Sequence, residues 1–183
     1  MRLNRLDLKT ILDQRSLTIT IDRLCHQLIE NHLDFDNTVL IGLQPRGIYL
    51  SDRIDETLRG LLPDAKIPYG KLDITFYRDD FNKSDALHIP NQTDIGFSIE
   101  NKRVILVDDV LYTGRTIRSA LDAMLDFGRP EKIELLVLID RRFSRQLPIQ
   151  PDYVGRTIDS IISQRVKVLW QQKDGKDEVV LVG

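Results

Sequence analysis

Leu17, Ile21, Leu24, Cys25, Leu28 and Ile29 recur at intervals of three and four, the spacing of one helix face, and predict an amphipathic helix of about three turns. A short apolar run, Val39 to Gly42, predicts a strand that enters the turn Gln44-Pro45-Arg46-Gly47. A second helix is predicted over Ile48 to Leu61, ended by Gly60 and Pro63. Ile67 to Ile74 reads as the next strand. From Tyr77 to Phe97 the periodicity stops and Asp, Asn, Lys, Ser and Pro dominate. A polar stretch of that length inside a domain predicts a lid, a projecting hairpin or a flexible loop. Val104 to Val107 is a near-continuous β-branched run, the mark of a strand buried on both faces. After residues 108–114 comes a helix, with Thr113 or Thr116 as its cap and Ile117, Ala120, Leu121, Met124 and Leu125 as its inner stripe. Gly128 and Pro130 stop it, and Ile133 to Ile139 is another buried strand. Strands alternating with helices predict an α/β fold, a mostly parallel twisted sheet flanked by helices. Past Asp152, the alternation Val166, Val168, Trp170, then Asp174-Gly175 and Val179 to Val182, predicts a terminal hairpin. No repeat or linker interrupts the chain, which is expected to form one domain over residues 1–183.

The rest of the composition narrows the picture by exclusion. With 183 residues, 42% hydrophobic and 30% charged, the chain can bury a core without staples and is neither disordered nor fibrous in type. A formal net charge of −2 supplies no global field toward nucleic acid, so any such binding needs a local basic patch. The one cysteine, Cys25, permits no internal disulfide and sits on the apolar helix stripe as a core residue. Met1 to Thr10 lacks the apolar block of a signal peptide, and no apolar run reaches the ~18 residues of a membrane span. A cytoplasmic protein without membrane contact is expected. His26, His32 and His88 show no metal-ligand spacing and are expected on the surface or in loops.

The chemistry concentrates in Val104-Ile105-Leu106-Val107-Asp108-Asp109-Val110-Leu111-Tyr112-Thr113-Gly114-Arg115-Thr116. In open α/β sheets, ligands bind beyond the carboxyl ends of the strands. Here a buried strand delivers two carboxylates to that edge, and a Thr-Gly-Arg-Thr turn opens a helix. The N–H groups and dipole of that helix suit a phosphate. Gly114 lets the backbone approach an anion, and Thr113 and Thr116 add hydroxyl donors. Two adjacent aspartates alone would more readily cap a helix and face water; the whole string instead fits a ribose 5-phosphate. The phosphate would lie on the turn, and the 2′ and 3′ hydroxyls on Asp108 and Asp109.

This string resembles the signature by which type I phosphoribosyltransferases bind phosphoribosyl pyrophosphate (PRPP). Gly47-Ile48-Tyr49-Leu50, residues 73–80 (Asp-Ile-Thr-Phe-Tyr-Arg-Asp-Asp), Gly128-Arg129-Pro130, Leu147-Pro148-Ile149 and Asp152-Tyr153-Val154-Gly155 extend the likeness. Together they resemble the pyrimidine-operon attenuation regulator (PyrR) family. The resemblance implies a type I fold with a small hood built from N- and C-terminal segments. It implies transfer of the phosphoribosyl group to uracil, giving UMP and pyrophosphate, with Mg²⁺ carried in by PRPP. It implies nucleotide contacts at Pro45, Arg46, Gly47 and residues 107–116, that is Val107, Asp108, Asp109, Val110, Leu111, Tyr112, Thr113, Gly114, Arg115 and Thr116. The catalytic candidates are Asp108, Asp109, Arg46 and Arg78, with no protein residue assigned as a direct metal ligand. Lys83 and Tyr77 are further pyrophosphate candidates on the flexible loop. The hood over the base is expected from the first helix and from residues 152–158. The family commonly has Thr where this chain has Pro45.

Many family members bind the leader messenger RNA of pyrimidine genes when UMP or UTP fills the site. Arg23, Arg141, Arg142, Arg145 and Arg156, with Arg165, are the candidates for that face. Asp22, Phe143 and Gln150 depart from the pattern of RNA-binding members. Three readings stay open on the sequence: an enzyme, an RNA-binding regulator that uses the pocket as a sensor, and the same fold acting on orotate or a purine. Family members assemble as dimers or larger homo-oligomers.

Overall fold

In a computed structural model describing residues 8–77, 92–161 and 164–183, the first element is a strand, β1 (Leu8–Leu12). Asp13 follows as an N-cap, its carboxylate accepting the Ser16 N–H at 2.8 Å, and opens α1 (Gln14–His32). Leu17, Ile21, Leu24, Cys25 and Leu28 are all buried on one face, as the periodicity requires. Cys25 lies fully inside, and burial pushes its thiol up to about 12.

The chain continues through β2 (Thr38–Leu43), α2 (Gly47–Leu61), β3 (Tyr69–Leu72), β4 (Arg103–Leu111), α3 (Arg115–Met124), β5 (Lys132–Arg141) and β6 (Tyr153–Ile158). The five strands β2 to β6 form one sheet in the order β3-β2-β4-β5-β6, and every pairing in it is parallel. Alternate side chains go to opposite faces. Leu40, Ile105, Val107, Leu136 and Leu138 meet α1 and α2 on one side. Val39, Ile41, Val104, Leu106 and Val137 meet α3 on the other. Both faces are therefore apolar, which explains the unbroken hydrophobic runs of β2, β4 and β5.

β7 (Arg165–Leu169) and β8 (Glu178–Val182), joined through the short α4 (Gln171–Asp174), pair antiparallel, and β8 also pairs with β1. This three-stranded sheet joins the two chain ends, and Leu12, Val168, Trp170 and Val179 pack into the same cluster as α1 and α2.

Several expectations need correction. The separate sheet at the chain ends comes from β1, β7 and β8; α1 and residues 153–158 lie in the main layers of the fold instead. β6 has the pattern buried–half-buried–half-buried–exposed–exposed–buried, too irregular for a period-two reading because it is the edge of the sheet. Leu125 is 68% exposed, since α3 tightens into a 3-10 turn at Leu125–Phe127 and rotates it out; Ala123 takes the inner place. His32 is buried, not on the surface. Its ring nitrogens meet Thr38 Oγ1 at 3.0 Å and Glu134 Oε2 at 2.9 Å, with Tyr153 Oη at 3.2 Å.

Candidate active site

β4 does not stop at Val107. It runs on to Leu111, so Asp108 and Asp109 are strand residues and both are buried. The alternation of a strand sends them to different neighbours. Asp108 lines a cleft of about 240 Å³ shared with residues 110–117 and Ser119. Asp109 faces the β2–α2 loop, where its Oδ2 pairs with Arg46 Nε at 3.1 Å. Asp108 Oδ1 accepts the Asp109 N–H at 2.9 Å.

The loop over β2–α2 reaches β4 because residue 47 is glycine. A Cβ there would stand 2.7 Å from the Val107 carbonyl oxygen, closer than a side chain can sit, and 3.1 Å from Asp108 Oδ1. The Gln44–Pro45 peptide is cis, and Gln44 Nε2 donates to the Gln92 carbonyl at 2.7 Å. Pro45 is exposed and Gly47 buried. Arg46 also donates to the carbonyl of Val168 on β7, so one side chain links the main sheet to the terminal sheet.

Burial pushes the Asp109 carboxyl above the usual carboxylate range; Arg46, as a nearby charge and as a hydrogen-bond donor, pulls down without cancelling it. This site holds a desolvated acid against the Arg46 guanidinium.

At the other side of the cleft, α3 begins at Arg115 with Gly114 as its N-cap. Gly114 sits at φ +91 and there is no side-chain cap hydrogen bond. The expected threonine caps do not form: Thr113 Oγ1 only receives the Arg115 N–H, at 3.4 Å. A left-handed residue at this position is natural for glycine, which offers no side chain to cap α3, so the long Thr113 contact is the hydroxyl contact recorded at its first N–H. Such a terminus attracts an anion. Val110 and Thr113 are half-buried, Tyr112 and Arg115 exposed, and Leu111 buried. The structure thus brings Arg46, Gly47, Asp108, Asp109 and residues 110–116 to the carboxyl end of β4. Arg78, Lys83, His88 and the rest of residues 78–91, the larger part of the loop expected over 77–97, fall outside the described residues.

The arginines expected to face RNA differ in exposure and in partners. Arg141 is 5% exposed, donating to Ser160 Oγ at 2.8 Å and to the carbonyls of Ile161 and Gln164. A guanidinium enclosed in this way cannot meet a polyanion, so Arg141 leaves that set. Arg145 is ion-paired with Asp140 and donates to the Tyr112 carbonyl. Arg142 pairs with Asp159 at 2.9 Å. Arg23 donates to the Val154 and Gly155 carbonyls, and Arg156 to that of Ile11. Arg23, Arg142 and Arg156 keep exposed surface.

As for metals, two carboxylates are hard oxygen donors of the kind a divalent cation prefers. No group of three or more His, Cys, Asp or Glu able to hold a metal occurs among the described residues. A hard cation takes about six oxygen ligands, so an ion fits here when a diphosphate supplies most of them. No described helix is long and apolar enough to cross a membrane.

Comparison with known proteins agrees with this geometry. A family model described as phosphoribosyl transferase domain matches residues 7–173. The Bifunctional protein PyrR of Ligilactobacillus salivarius is 46% identical over 175 residues, 94% of this chain and 97% of the relative. The protein of the same name from Desulfosudis oleivorans is 46% identical over 171 residues, covering 93% and 94%. Among solved structures, hypoxanthine phosphoribosyltransferase from Trypanosoma cruzi in complex with IMP superposes with a TM-score of 0.75 over 100% of this chain and 97% of that one. At 15% identity that likeness concerns the fold alone.

Proposed function

This chain belongs to the phosphoribosyl transferase domain family and, within it, to the family of PyrR proteins, and on that premise we propose that it moves the phosphoribosyl group of PRPP onto N1 of uracil. The products are UMP and pyrophosphate. The whole chain, residues 1–183, acts as one phosphoribosyltransferase unit and assembles as a homodimer or larger homo-oligomer. Phosphorylated substrates do not cross a bilayer unaided, which suits a cytoplasmic place.

One observation carries the reading: at the carboxyl end of β4, Asp108 lines a 240 Å³ cleft together with the N-terminal turn of α3 behind Gly114, while Asp109 beside it meets Arg46. The 5′-phosphate lies on the turn 112–116, and the ribose hydroxyls meet Asp108 and Asp109. Arg46, released from Asp109, contacts the pyrophosphate, and the backbone at Gly47 lies close beside it. As the C1′–oxygen bond to pyrophosphate breaks, positive charge grows at C1′ and the buried carboxylates stabilise it. The bond from uracil N1 to C1′ forms as N1 gives up its proton to solvent water, and pyrophosphate leaves with the electron pair of the broken C1′–oxygen bond. Asp108 and Asp109 would stand beside the Mg²⁺ that PRPP brings, and that ion would supply charge neutralisation on the leaving group. Arg78 and the rest of the 77–97 loop are proposed to cover the pyrophosphate.

Measured UMP formation from uracil, PRPP and Mg²⁺ tests this. Turnover is expected with uracil and not with orotate or hypoxanthine, and Asp108→Asn with Asp109→Asn is expected to lower kcat/KM by at least about a hundredfold. Equal turnover in the double variant would sink the assignment.

A second role is favoured by the word "bifunctional" in the relatives' names and by the exposed Arg23, Arg142 and Arg156. It is uridine-nucleotide-dependent binding of pyrimidine-gene leader mRNA. RNA retention on filters, with and without UMP, is expected to show tighter binding with UMP; no binding at low salt would remove this role and leave the enzyme.

A further inference from the structure

Resting on the phosphoribosyl reading above, we infer that Arg145 is a positioning residue for the phosphate-binding turn, holding the turn's carbonyls from behind so that its N–H groups face the ligand.

The segment after β5 folds back against the turn. The Tyr112 carbonyl accepts from Arg145 Nη1 at 2.6 Å. The Thr113 carbonyl accepts the N–H groups of Gln146 at 3.0 Å and Leu147 at 3.3 Å. These peptide bonds are trans, since the cis bond among the described residues is Gln44–Pro45. A trans peptide unit directs its C=O and its N–H to opposite sides. With the carbonyls of Tyr112 and Thr113 turned toward residues 145–147, the N–H groups of Thr113 and Gly114 point the other way. The cleft is lined by Asp108, the turn and α3, and residues 145–147 take no part in its lining.

Arg145 is itself fixed. Its second nitrogen is ion-paired with Asp140, which lies at the end of β5 and is buried. Further ties act on the same turn: Arg115 Nε donates to Gln146 Oε1 at 2.8 Å, and the Arg141 guanidinium lies 4.1 Å over the Tyr112 ring. A turn that would otherwise reorient its peptide planes is thus braced against the neighbouring strand. Donors fixed in advance bind an anion without reorganising first. This also gives Arg145 a role that competes with RNA contact, because both ends of its guanidinium are already engaged inside the protein.

The test compares two ligands that differ only in the phosphate. Calorimetric titration of UMP and of uridine would be made on the wild type, Arg145→Met, Arg145→Lys and, as a charge-loss control on α2, Arg59→Ala. Arg145→Met is expected to weaken UMP about tenfold, the loss of about one oriented hydrogen bond to a charged group, and to leave uridine unchanged. Arg145→Lys is expected to restore part of the UMP affinity, and Arg59→Ala to change neither ligand. Should Arg145→Met not fold, Asp140→Asn carries the test, with a smaller loss confined to UMP. Parallel weakening of both ligands, or unchanged UMP binding, in a folded variant overturns the inference. A wild type with no preference for UMP over uridine would overturn the phosphoribosyl reading and this inference together. A wild-type preference that the variants keep would overturn the inference alone.

Discussion

The two ends of the five-stranded sheet bury acids in opposite ways. At the amino end, Glu134 near the start of β5 receives Lys132 Nζ at 2.6 Å, Tyr153 Oη at 2.7 Å and the His32 ring at 2.9 Å, and His32 in turn meets Thr38 at the start of β2. Burial pushes the Glu134 carboxyl up, but Lys132, Tyr153 and His32 outweigh it and hold it below the usual range. At the carboxyl end, Asp109 is buried with Arg46 as its cation and is held above the usual range. A fully partnered buried polar group stabilises a fold, whereas an under-compensated one costs stability and is kept for chemistry. One sheet therefore carries a structural end and a reactive end.

The sharpest way to break that contrast is to remove the charges from the reactive end. Asp108→Asn with Asp109→Asn is expected to lose at least about a hundredfold in kcat/KM while melting no lower than the wild type, because the desolvated Asp109 charge it removes was unfavourable. A large drop in Tm would show that these acids hold the fold and are not set apart for chemistry.

The converse change comes next. Glu134→Ala strands His32, the Tyr153 hydroxyl and Lys132, and is expected to cost about 3 kcal/mol, a Tm lower by roughly 6–12 °C for a chain of this size. Activity per folded molecule at 20 °C is expected to be kept, which a turnover assay normalised to active protein would check.

The smallest effect is a difference in pH slope. Glu134 has a lowered folded-state pKa, so its contribution is present above its ordinary value of 4.5 and is lost as pH falls through the folded-state value. Asp109 has a raised one, so its contribution declines as pH rises from 3.8 through the folded-state value. Denaturant titrations across this acid range are expected to show Asp109→Asn gaining stability over the wild type as pH rises. Glu134→Gln is expected to lose stability relative to the wild type over the same rise. Slopes of the same sign in both variants would erase the distinction between the two ends.

Legibility differed between the two ends for the same reason. The reactive end is local: Asp108, Asp109, Gly114 and the turn lie in one thirteen-residue string, and its resemblance to a phosphoribosyltransferase signature could be read directly. The structural end is assembled from residues 32, 38, 132, 134 and 153, which share no pattern along the chain. His32, read in isolation, could only be assigned to the surface. The arginines failed similarly. A count of basic residues near the end of β5 suggests a face for a polyanion, but Arg141 turns inward to Ser160 and Arg145 braces the turn at Tyr112.

The sequence by itself determined the α/β alternation, the burial of β4 and β5, the amphipathic stripe of α1, and the position of the phosphate-binding string. These follow from periodicity and from chemistry between near neighbours in the chain. Tertiary structure alone decided that the strand continues through both aspartates, that Gly47 brings Arg46 against Asp109, that β1 joins β7 and β8, and that Arg145 lies behind the turn. Each depends on contacts between residues tens of positions apart. Their geometry is set by how sheets and helices pack against one another, which no local pattern of residues encodes.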